Sequence, residues 1–306
     1  MKAFDKAKMI ERSIELGEFS PDEFDKSCLI YNKSTYGIFL VTGKDGENYT
    51  IKVSVGNGSM LSMEILIAFY IKDELGDMPN LLVPEDVYIG YNPIYYPLFT
   101  SSSNRLNLPQ CKVLTLNNIF LGKDMEYNYY VTKACLYNLG YYLGTHKGLL
   151  SYKAFVAFSF QILMALQSLH KIGIWHRDVK TQNILVCNSD LARQGYSGIS
   201  YVINDSVWTI NYKDTNGRDL KVIDYGESMI MNDFENPCLS FSYEVTVAVV
   251  NIFTVMWSKV FDKGLYFENL ISRLRNCKTS ILDIISAAPI YTQLKYEDPK
   301  TFRFKI

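Results

Sequence analysis

The residues best suited to chemistry lie in one short segment of the chain. His176–Asn183 has the sequence HRDVKTQN and places the carboxylate of Asp178, the ammonium group of Lys180 and the carboxamide of Asn183 within six residues. A long apolar stretch precedes this segment, and the strand-like sequence Ile-Leu-Val follows it. A proton acceptor, oxygen donors and a positive charge in one place suit reactions in which charge is moved and neutralised.

Two further segments complete the set. Asp224-Tyr225-Gly226 directly follows a strand-like stretch, and Thr50-Ile51-Lys52 lies at the end of a predicted N-terminal hairpin. Either tripeptide alone is too common to indicate a function. In this order and in these contexts, the three segments resemble the motifs of eukaryotic-type protein kinases, whose catalytic loop has the pattern H-R-D-x-K-x-x-N.

The resemblance implies a role for each of these side chains in phosphoryl transfer, which depends on positioning and charge neutralisation. Lys52 would hold the α- and β-phosphates of ATP, and Asp178 would be the catalytic base for the substrate hydroxyl. Lys180 would neutralise the transferring phosphate, and a lysine there is typical of serine/threonine kinases. Asn183 and Asp224 would be ligands of Mg²⁺. ATP and Mg²⁺ are therefore the expected cofactors.

The phosphate-covering loop departs from the family pattern G-x-G-x-x-G-x-V. In the aligned segment Asn32–Phe39 only Gly37 matches a glycine, because Asn32 and Ser34 occupy the other two glycine positions. Asn tolerates a positive φ and Ser is small, so backbone amides could still approach a phosphate. The alignment therefore predicts nucleotide contact at Gly37, and an ordinary hairpin strand with one glycine is the alternative.

Lys52 needs an acidic partner on the helix that follows it. Glu64 is favoured for this pairing, and Glu74, nearer the predicted end of the helix, is the alternative. The resemblance also places Leu185 in the floor of the adenine site and the interlobe hinge near residues 133–138. Backbone groups of that hinge would contact adenine.

The other polar residues of the motif have structural roles in the family. The resemblance implies that His176 packs in the core beneath the site and that Arg177 contacts a phosphorylated activation loop. Glu244 begins the next apolar helix and could accept backbone amide bonds from the catalytic loop. His146 and His170 are predicted to have no part in the site.

The order of the elements predicts an α+β class and a two-lobed protein-kinase-like fold. Residues 1–27 form a predicted N-terminal helical extension, 28–135 a β-rich N-terminal lobe and 136–306 a shortened helical C-terminal lobe. The polar segment 187–217 is predicted to be an inserted loop or small hairpin on the surface. An irregular end is expected after Pro289.

Composition excludes several classes of protein. Hydrophobic residues make up 48% of the 306 residues, which excludes a wholly disordered chain, and 31 basic against 32 acidic residues disfavour a nucleic-acid binder. The apolar run Val245–Trp257 is shorter than the roughly 20 residues of a membrane span, so none is expected. The six cysteines show no metal-ligand spacing. That argues against zinc and against a disulfide scaffold, and it favours a reducing compartment.

The C-terminal part departs furthest from the family pattern. It carries no Ala-Pro-Glu motif, and its activation segment is very short. This reduced form resembles the minimal serine/threonine kinases of large DNA viruses, such as the poxvirus enzymes, and a shortened bacterial effector kinase is the alternative. A cytoplasmic location, or the virion of a virus, is expected.

The sequence thus predicts an ATP- and Mg²⁺-dependent serine/threonine kinase that acts on a protein substrate. The short activation segment predicts one of two things: either the kinase is active without phosphorylation of that loop, or an activating partner controls it. The degraded glycine loop leaves a catalytically weak scaffold as one alternative, and the short activation segment leaves a small-molecule kinase as another.

Overall fold

The computed structural model shows an α+β protein. It describes residues 24–33, 36–43, 47–55, 59–84, 86–90, 127–145, 150–203, 205–230, 244–276 and 280–305. Of the predicted N-terminal helical extension, residues 1–23 lie outside the described residues. Residues 24–27 belong to a strand, Phe24–Lys33, so the prediction of a helix is wrong at that end. The described residues divide into two compact units. One contains those up to Asp73 and those of Val83–Ala134, and the other contains Glu74–Leu82 and those from Cys135 onward.

The first unit is built on an antiparallel five-stranded sheet of order β1-β2-β3-β5-β4. Its strands are β1 (Phe24–Lys33), β2 (Tyr36–Gly43), β3 (Asn48–Val55), β4 (Asp86–Gly90) and β5 (Tyr127–Lys133). The predicted hairpin is confirmed, since β2 pairs with β3 along its length. Helix α1 (Ser59–Leu75) follows β3, and buried side chains line its middle from Glu64 to Ala68.

The second unit is organised around one long helix. After the two-residue strand β6 (Tyr137–Asn138) and helix α2 (Leu139–Thr145) comes α3 (Tyr152–Lys171). The Ser151 hydroxyl caps α3 by accepting from the Ala154 N–H at 3.1 Å. Among the described residues, α3 is the one helix long and apolar enough to cross a membrane, and 83% of that stretch is buried inside the protein. It is therefore the core helix of this unit.

Two small sheets flank two of the segments singled out in the sequence, His176–Asn183 and Asp224–Gly226. Strands β7 (Ile174–Trp175) and β12 (Met229–Ile230) pair antiparallel, as do β8 (Ile184–Asn188) and β11 (Arg218–Val222). Strand β6 adds to the free side of β8. Both sheets are short. The segment that joins β7 to β8 therefore lies next to the turn that follows β11.

The insert is not the polar surface segment that the sequence predicts. It does contain a hairpin, of β9 (Gly198–Ile203) and β10 (Ser206–Asn211), flanked by the short helices α4 (Asp190–Arg193) and α5 (Tyr212–Thr215). One face of that hairpin is core: Trp208 stacks on Phe160 of α3 at 5.8 Å between ring centroids, and Tyr201 meets the same ring at 5.5 Å. Apolar residues spaced two apart place this face inward, and the polar residues between and around them dominated the composition; they are Ile199, Tyr201 and Ile203 on β9 and Trp208 and Ile210 on β10.

The end of the chain also differs from the expectation of irregular structure. After α6 (Val250–Ser258), α7 (Phe267–Arg275), α8 (Ile281–Ala287) and a 3₁₀ turn at Pro289–Leu294, the chain forms strand β13 (Thr301–Lys305). This strand pairs parallel with β9, so the insert and the C-terminus form one sheet of order β10-β9-β13. The sequence TFRFK alternates as a strand should, but its partner is about a hundred residues away, which no local pattern reveals.

A disulfide joins Cys135 to Cys187, contrary to the expectation from cysteine spacing. Cys135 lies between β5 and β6, and Cys187 lies on β8. The backbone explains the encounter, because β6 pairs antiparallel with β8 and brings the two residues to neighbouring register positions. The prediction failed because the partners are 52 residues apart in sequence and no motif marks them.

Candidate active site

In the first unit the sheet and helix α1 bring Lys52 and Glu64 together. Lys52 lies on the central strand β3, opposite Ile38 of β2 and Tyr130 of β5. Its Nζ donates to Glu64 Oε2 at 2.5 Å, and both side chains are buried. The favoured pairing is therefore present, while Glu74 is exposed at the end of α1 and belongs to the other unit. A buried charge without a partner costs free energy. The ion pair therefore fixes both side chains in place.

Gly37 lies near the start of β2, next to Asn32 on β1 and Val53 on β3. The glycine of the predicted phosphate loop is thus a strand residue one position from the β1–β2 connection. Its role toward a nucleotide stays a prediction.

In the second unit the segment between β7 and β8 gathers three of the predicted residues. Asp178 Oδ2 accepts from Lys180 Nζ at 2.5 Å and from Asn183 Nδ2 at 2.9 Å. The same Nδ2 also donates to the backbone carbonyl of Asp178 at 2.9 Å. Asn183 is buried, whereas Asp178 and Lys180 are partly exposed. The carboxylate is therefore held in one orientation from below and remains accessible from outside.

The turn after β11 brings Asp224 next to this cluster. Ile223 N–H donates to the Asn183 carbonyl at 3.0 Å, and the buried His176 places Nε2 2.9 Å from the Ile223 carbonyl. His176 thus lies beneath the site, as the family resemblance implies. Asp224 itself has a φ of +68°, an uncommon conformation for a residue other than glycine. Leu185, on β8, faces Lys221 across the sheet on one side and Asn138 on the other.

The donor set of Asn183 and Asp224 fits Mg²⁺. Because Asn183 commits its Nδ2 to Asp178, its Oδ1 is the atom that it can offer a cation, and Asp224 adds a carboxylate. These are hard oxygen ligands, and Mg²⁺ is commonly held by one or two such groups with substrate phosphates and water completing its shell. Within the described residues there is no cluster of three or more His, Cys, Asp or Glu side chains that could hold a metal by themselves.

The segment His176–Asn183, called the catalytic segment below, is anchored by Glu244 and His170. The sequence predicted a role for Glu244 and none for His170. Glu244 Oε1 accepts from the Arg177 N–H at 2.8 Å, which is the backbone contact expected of it. Its other oxygen, Oε2, lies 2.9 Å from His170 Nε2 at the end of α3. The prediction that His170 has no part in the site is therefore wrong. The helical register of α3 could have signalled it, because His170 lies one turn beyond buried Leu166 on a helix that leads to the motif.

Arg177 takes a φ of +68° and places its guanidinium over the Trp175 ring, 5.7 Å from the centroid. Whether it meets a phosphorylated loop stays a prediction, because residues 231–243 lie outside the described part of the chain. The observed contact is a cation–π pair that gives the Arg177 side chain a fixed neighbour.

Comparison with known proteins points in the same direction. A family model described as the protein kinase domain matches residues 104–248. Rhodopsin kinases grk7-a and grk7-b of Xenopus laevis are each 25% identical over 187 residues, which cover 61% of this chain and 31% of the relative. A probable serine/threonine-protein kinase of Clostridium acetobutylicum is 32% identical over 97 residues, 31% of this chain and 15% of the relative.

These matches support a place for the chain in the protein kinase superfamily and a kinase-like fold. The chain spans under a third of the length of the rhodopsin kinases that it matches.

Proposed function

We propose that this protein is an ATP- and Mg²⁺-dependent serine/threonine protein kinase. The observation that carries the proposal is the cluster of Asp178, Lys180 and Asn183, in which one carboxylate is gripped by a cation and an amide and stays partly exposed. A carboxylate held in this way is suited to accept a proton from a substrate hydroxyl.

In the proposed reaction the substrate hydroxyl donates its proton to Asp178 as its oxygen forms a bond to the γ-phosphorus of ATP. The bond from that phosphorus to the β–γ bridging oxygen breaks, and ADP leaves. Lys180 offsets negative charge on the transferring group, and Lys52, oriented by Glu64, holds the α- and β-phosphates. Mg²⁺, when bound by Asn183 and Asp224, would neutralise phosphate charge. Leu185 and Gly37 would contact adenine and phosphate.

The finer parts of the proposal rest on sequence. They are a two-lobed arrangement, a resemblance to the minimal kinases of large DNA viruses, a cytoplasmic location and control by an activating partner or by none. Lys180 supports serine or threonine as acceptor, because tyrosine kinases usually differ at that position.

Transfer of labelled γ-phosphate from Mg-ATP tests the proposal directly. Purified protein is incubated alone, to detect transfer to itself, and with generic acidic and basic protein substrates. Asp178→Asn is the matched control because it keeps the shape of the side chain and removes its charge. We expect label on serine or threonine with the parent protein and a loss of at least about 1,000-fold with Asp178→Asn.

The other outcomes identify the alternatives. Nucleotide that raises the melting temperature without any transfer would point to a scaffold or to a missing activator. Transfer to a small-molecule hydroxyl, with none to protein, would support a small-molecule kinase.

A further inference from the structure

The turn that carries Asp224 has an uncommon backbone and needs support from its surroundings. Asp224 has a φ of +68°, and a 3₁₀ turn at Tyr225–Glu227 follows it. A left-handed conformation costs a residue with a side chain of order 1 kcal/mol or more, and it persists where neighbouring structure determines it. The groups that hold this turn therefore also determine where the Asp224 carboxylate lies.

Tyr225 closes the turn back onto the strand before it. Its side chain is 2% exposed, and its hydroxyl donates to the Val222 carbonyl, the last of β11, at 2.9 Å. Its ring lies against His176, with 5.7 Å between centroids, and its carbonyl accepts from the Ser228 N–H at 3.0 Å. An apolar aromatic ring would fill the same space, but only a hydroxyl adds the bond to Val222.

Val222 is itself clasped by a second segment of the chain. Its N–H donates to the Asn80 carbonyl at 2.9 Å, and its carbonyl accepts from the Leu82 N–H at 3.0 Å. A carbonyl oxygen has two lone pairs, so this one can accept from Leu82 and from the Tyr225 hydroxyl together. The end of β11, the Asn80–Leu82 segment and the Asp224 turn therefore meet at one backbone group.

The insert secures the Asn80 side of this junction. The Tyr201 hydroxyl, on β9 of the insert, donates to Asn80 Oδ1. Asn80 Nδ2 donates to the Leu220 carbonyl at 3.0 Å and to Gln161 Oε1 at 3.1 Å. Both Asn80 and Tyr201 are buried, and burial raises the pKa of the Tyr201 phenol well above its usual value, so the hydroxyl keeps its proton and remains a donor.

We propose that the hydroxyl of Tyr225, beyond the packing of its ring, holds the turn that positions Asp224, and that the insert reinforces this hydroxyl through the chain of hydrogen bonds Tyr201–Asn80–Val222–Tyr225. This inference rests on the proposed function in one respect, the assignment of Asp224 as a metal ligand. It gives the insert a role in the site without any contact with substrate, because the support passes through backbone groups of the second unit.

Tyr225→Phe is the test, since it removes one oxygen and keeps the ring. Tyr291→Phe is the matched control, because the Tyr291 hydroxyl is equally buried and donates to Ser159 Oγ at 3.1 Å in another part of the unit. The first readout is amide hydrogen exchange at residues 223–228 in the protein without nucleotide. The second is the affinity for Mn²⁺ in the presence of a non-hydrolysable ATP analogue, measured by electron paramagnetic resonance.

For Tyr225→Phe we expect exchange at the turn to quicken and Mn²⁺ affinity to fall, each about five- to tenfold, the loss of one buried hydrogen bond. Tyr201→Phe should shift both in the same direction by a smaller factor. The double variant should shift them by less than the product of the two single factors, because both hydroxyls support one element. Tyr291→Phe should change neither.

Neither readout requires turnover, so the inference and the proposed function can fail separately. Unchanged exchange at the turn in Tyr225→Phe would overturn the inference even in an active kinase. Faster exchange with unchanged Mn²⁺ affinity would also overturn it, because the turn would then be tied down without positioning a ligand. Equal shifts in Tyr291→Phe would reduce the effect to general loss of stability. Shifts confined to Tyr225→Phe and Tyr201→Phe, in a protein that transfers no phosphate, would support the inference and refute the kinase.

Discussion

The catalytic segment and the insert are neighbours in sequence and opposites in structure. The bonds that orient Asp178 come from Lys180 and Asn183, two and five residues away. The insert makes its defining bonds across long distances in sequence, as between Tyr201 and Asn80, which are 121 residues apart. The first segment keeps polar groups accessible, and the second buries aromatic ones. The bonds that orient the Asp178 carboxylate are thus local in sequence, and the bonds that fix the insert are distant in sequence.

This difference predicts that damage to the two segments has different consequences. A change at Asp178 or Lys180 should remove activity and leave stability intact, because these two side chains are partly exposed and bond locally. A change in the insert should lower stability first, because its side chains fill the core beside α3. Each of the following variants tests one side of that contrast or the connection between the two.

Trp208→Ala should give the largest effect. The side chain is 2% exposed and stacks on Phe160, while Lys295 Nζ lies 4.5 Å from its ring centroid. Removing a buried indole leaves a cavity in the core, so we expect the free energy of unfolding to fall by about 3–5 kcal/mol. Urea unfolding followed by circular dichroism would measure it. Tyr196→Ala, at an exposed ring of the insert, should change it much less.

A loss below about 1 kcal/mol in Trp208→Ala would show that the insert is an appendage rather than core. Residues 187–217 would then be the polar surface segment that their composition predicts.

Lys180→Met tests the other side. The Lys180 side chain is 49% exposed, so its loss should leave the melting temperature unchanged. If it neutralises the transferring phosphate, kcat for a protein substrate should fall about 100- to 1,000-fold, the effect of removing one preorganised charge at a transition state. Lys213→Met, an exposed lysine in the insert, is the matched control and should leave kcat unchanged. Full activity in Lys180→Met would contradict the assignment of this lysine.

The sequence predicted the local features of both segments and missed the distant ones. The β2–β3 hairpin, helix α1 and the pairing of Lys52 with Glu64 follow from strand alternation, helical periodicity and a motif, all of which act over a few residues. The inward face of the insert, strand β13 and the bond between His170 and Glu244 depend on partners at least 41 residues away, the separation of Phe160 and Tyr201. Nothing in a local pattern specifies which distant element will cover an apolar face.

Among the polar residues the same rule applies. Asp178, Lys180 and Asn183 belong to one motif that resembles the kinase pattern, so the resemblance predicted all three, and the structure brings them together. The Tyr225 hydroxyl was present in the motif but carried no signal, because its acceptor is a backbone carbonyl that only the folded turn brings near.

The disulfide ties the beginning of the insert to the connection between β5 and β6 and offers a third test. It joins Cys135 to Cys187 at the beginning of the insert and encloses the whole catalytic segment. Closing a loop with a sequence separation of 52 restricts the unfolded chain, so its reduction should lower the free energy of unfolding by about 2–4 kcal/mol. Thermal melts with and without a thiol reductant would show the shift. The variant with both Cys135→Ala and Cys187→Ala should melt at one temperature under both conditions, and a parent protein indifferent to reductant would show that the bond is not formed in solution.

Asp219 gives the smallest and most specific prediction. It lies on β11 opposite Cys187, is 4% exposed, and accepts from the Tyr212 hydroxyl at 3.4 Å. Burial raises the pKa of its carboxyl to about 6, and Asp190 adds to the rise, while Ser189, Lys221 and Tyr212 oppose it. Between about pH 4 and pH 6 the folded protein therefore holds a proton that the unfolded chain has released. The free energy of unfolding should fall across this range by about 2–3 kcal/mol and then level off.

Asp219→Asn should remove that slope, because a carboxamide stays neutral and its oxygen can still accept from Tyr212. The variant should match the parent near pH 4 and exceed it in stability above pH 6, as urea titrations at several pH values would show. Asp298→Asn is the control of opposite sign, because the Lys300 N–H and the Ser197 hydroxyl lower the pKa of that carboxyl, and its effect should disappear as the pH falls. An equal loss in Asp219→Asn at every pH would mean that the carboxyl is ionised in the fold. The buried strand that joins the insert to the Asp224 turn would then contain a stabilised charge rather than a protonated acid.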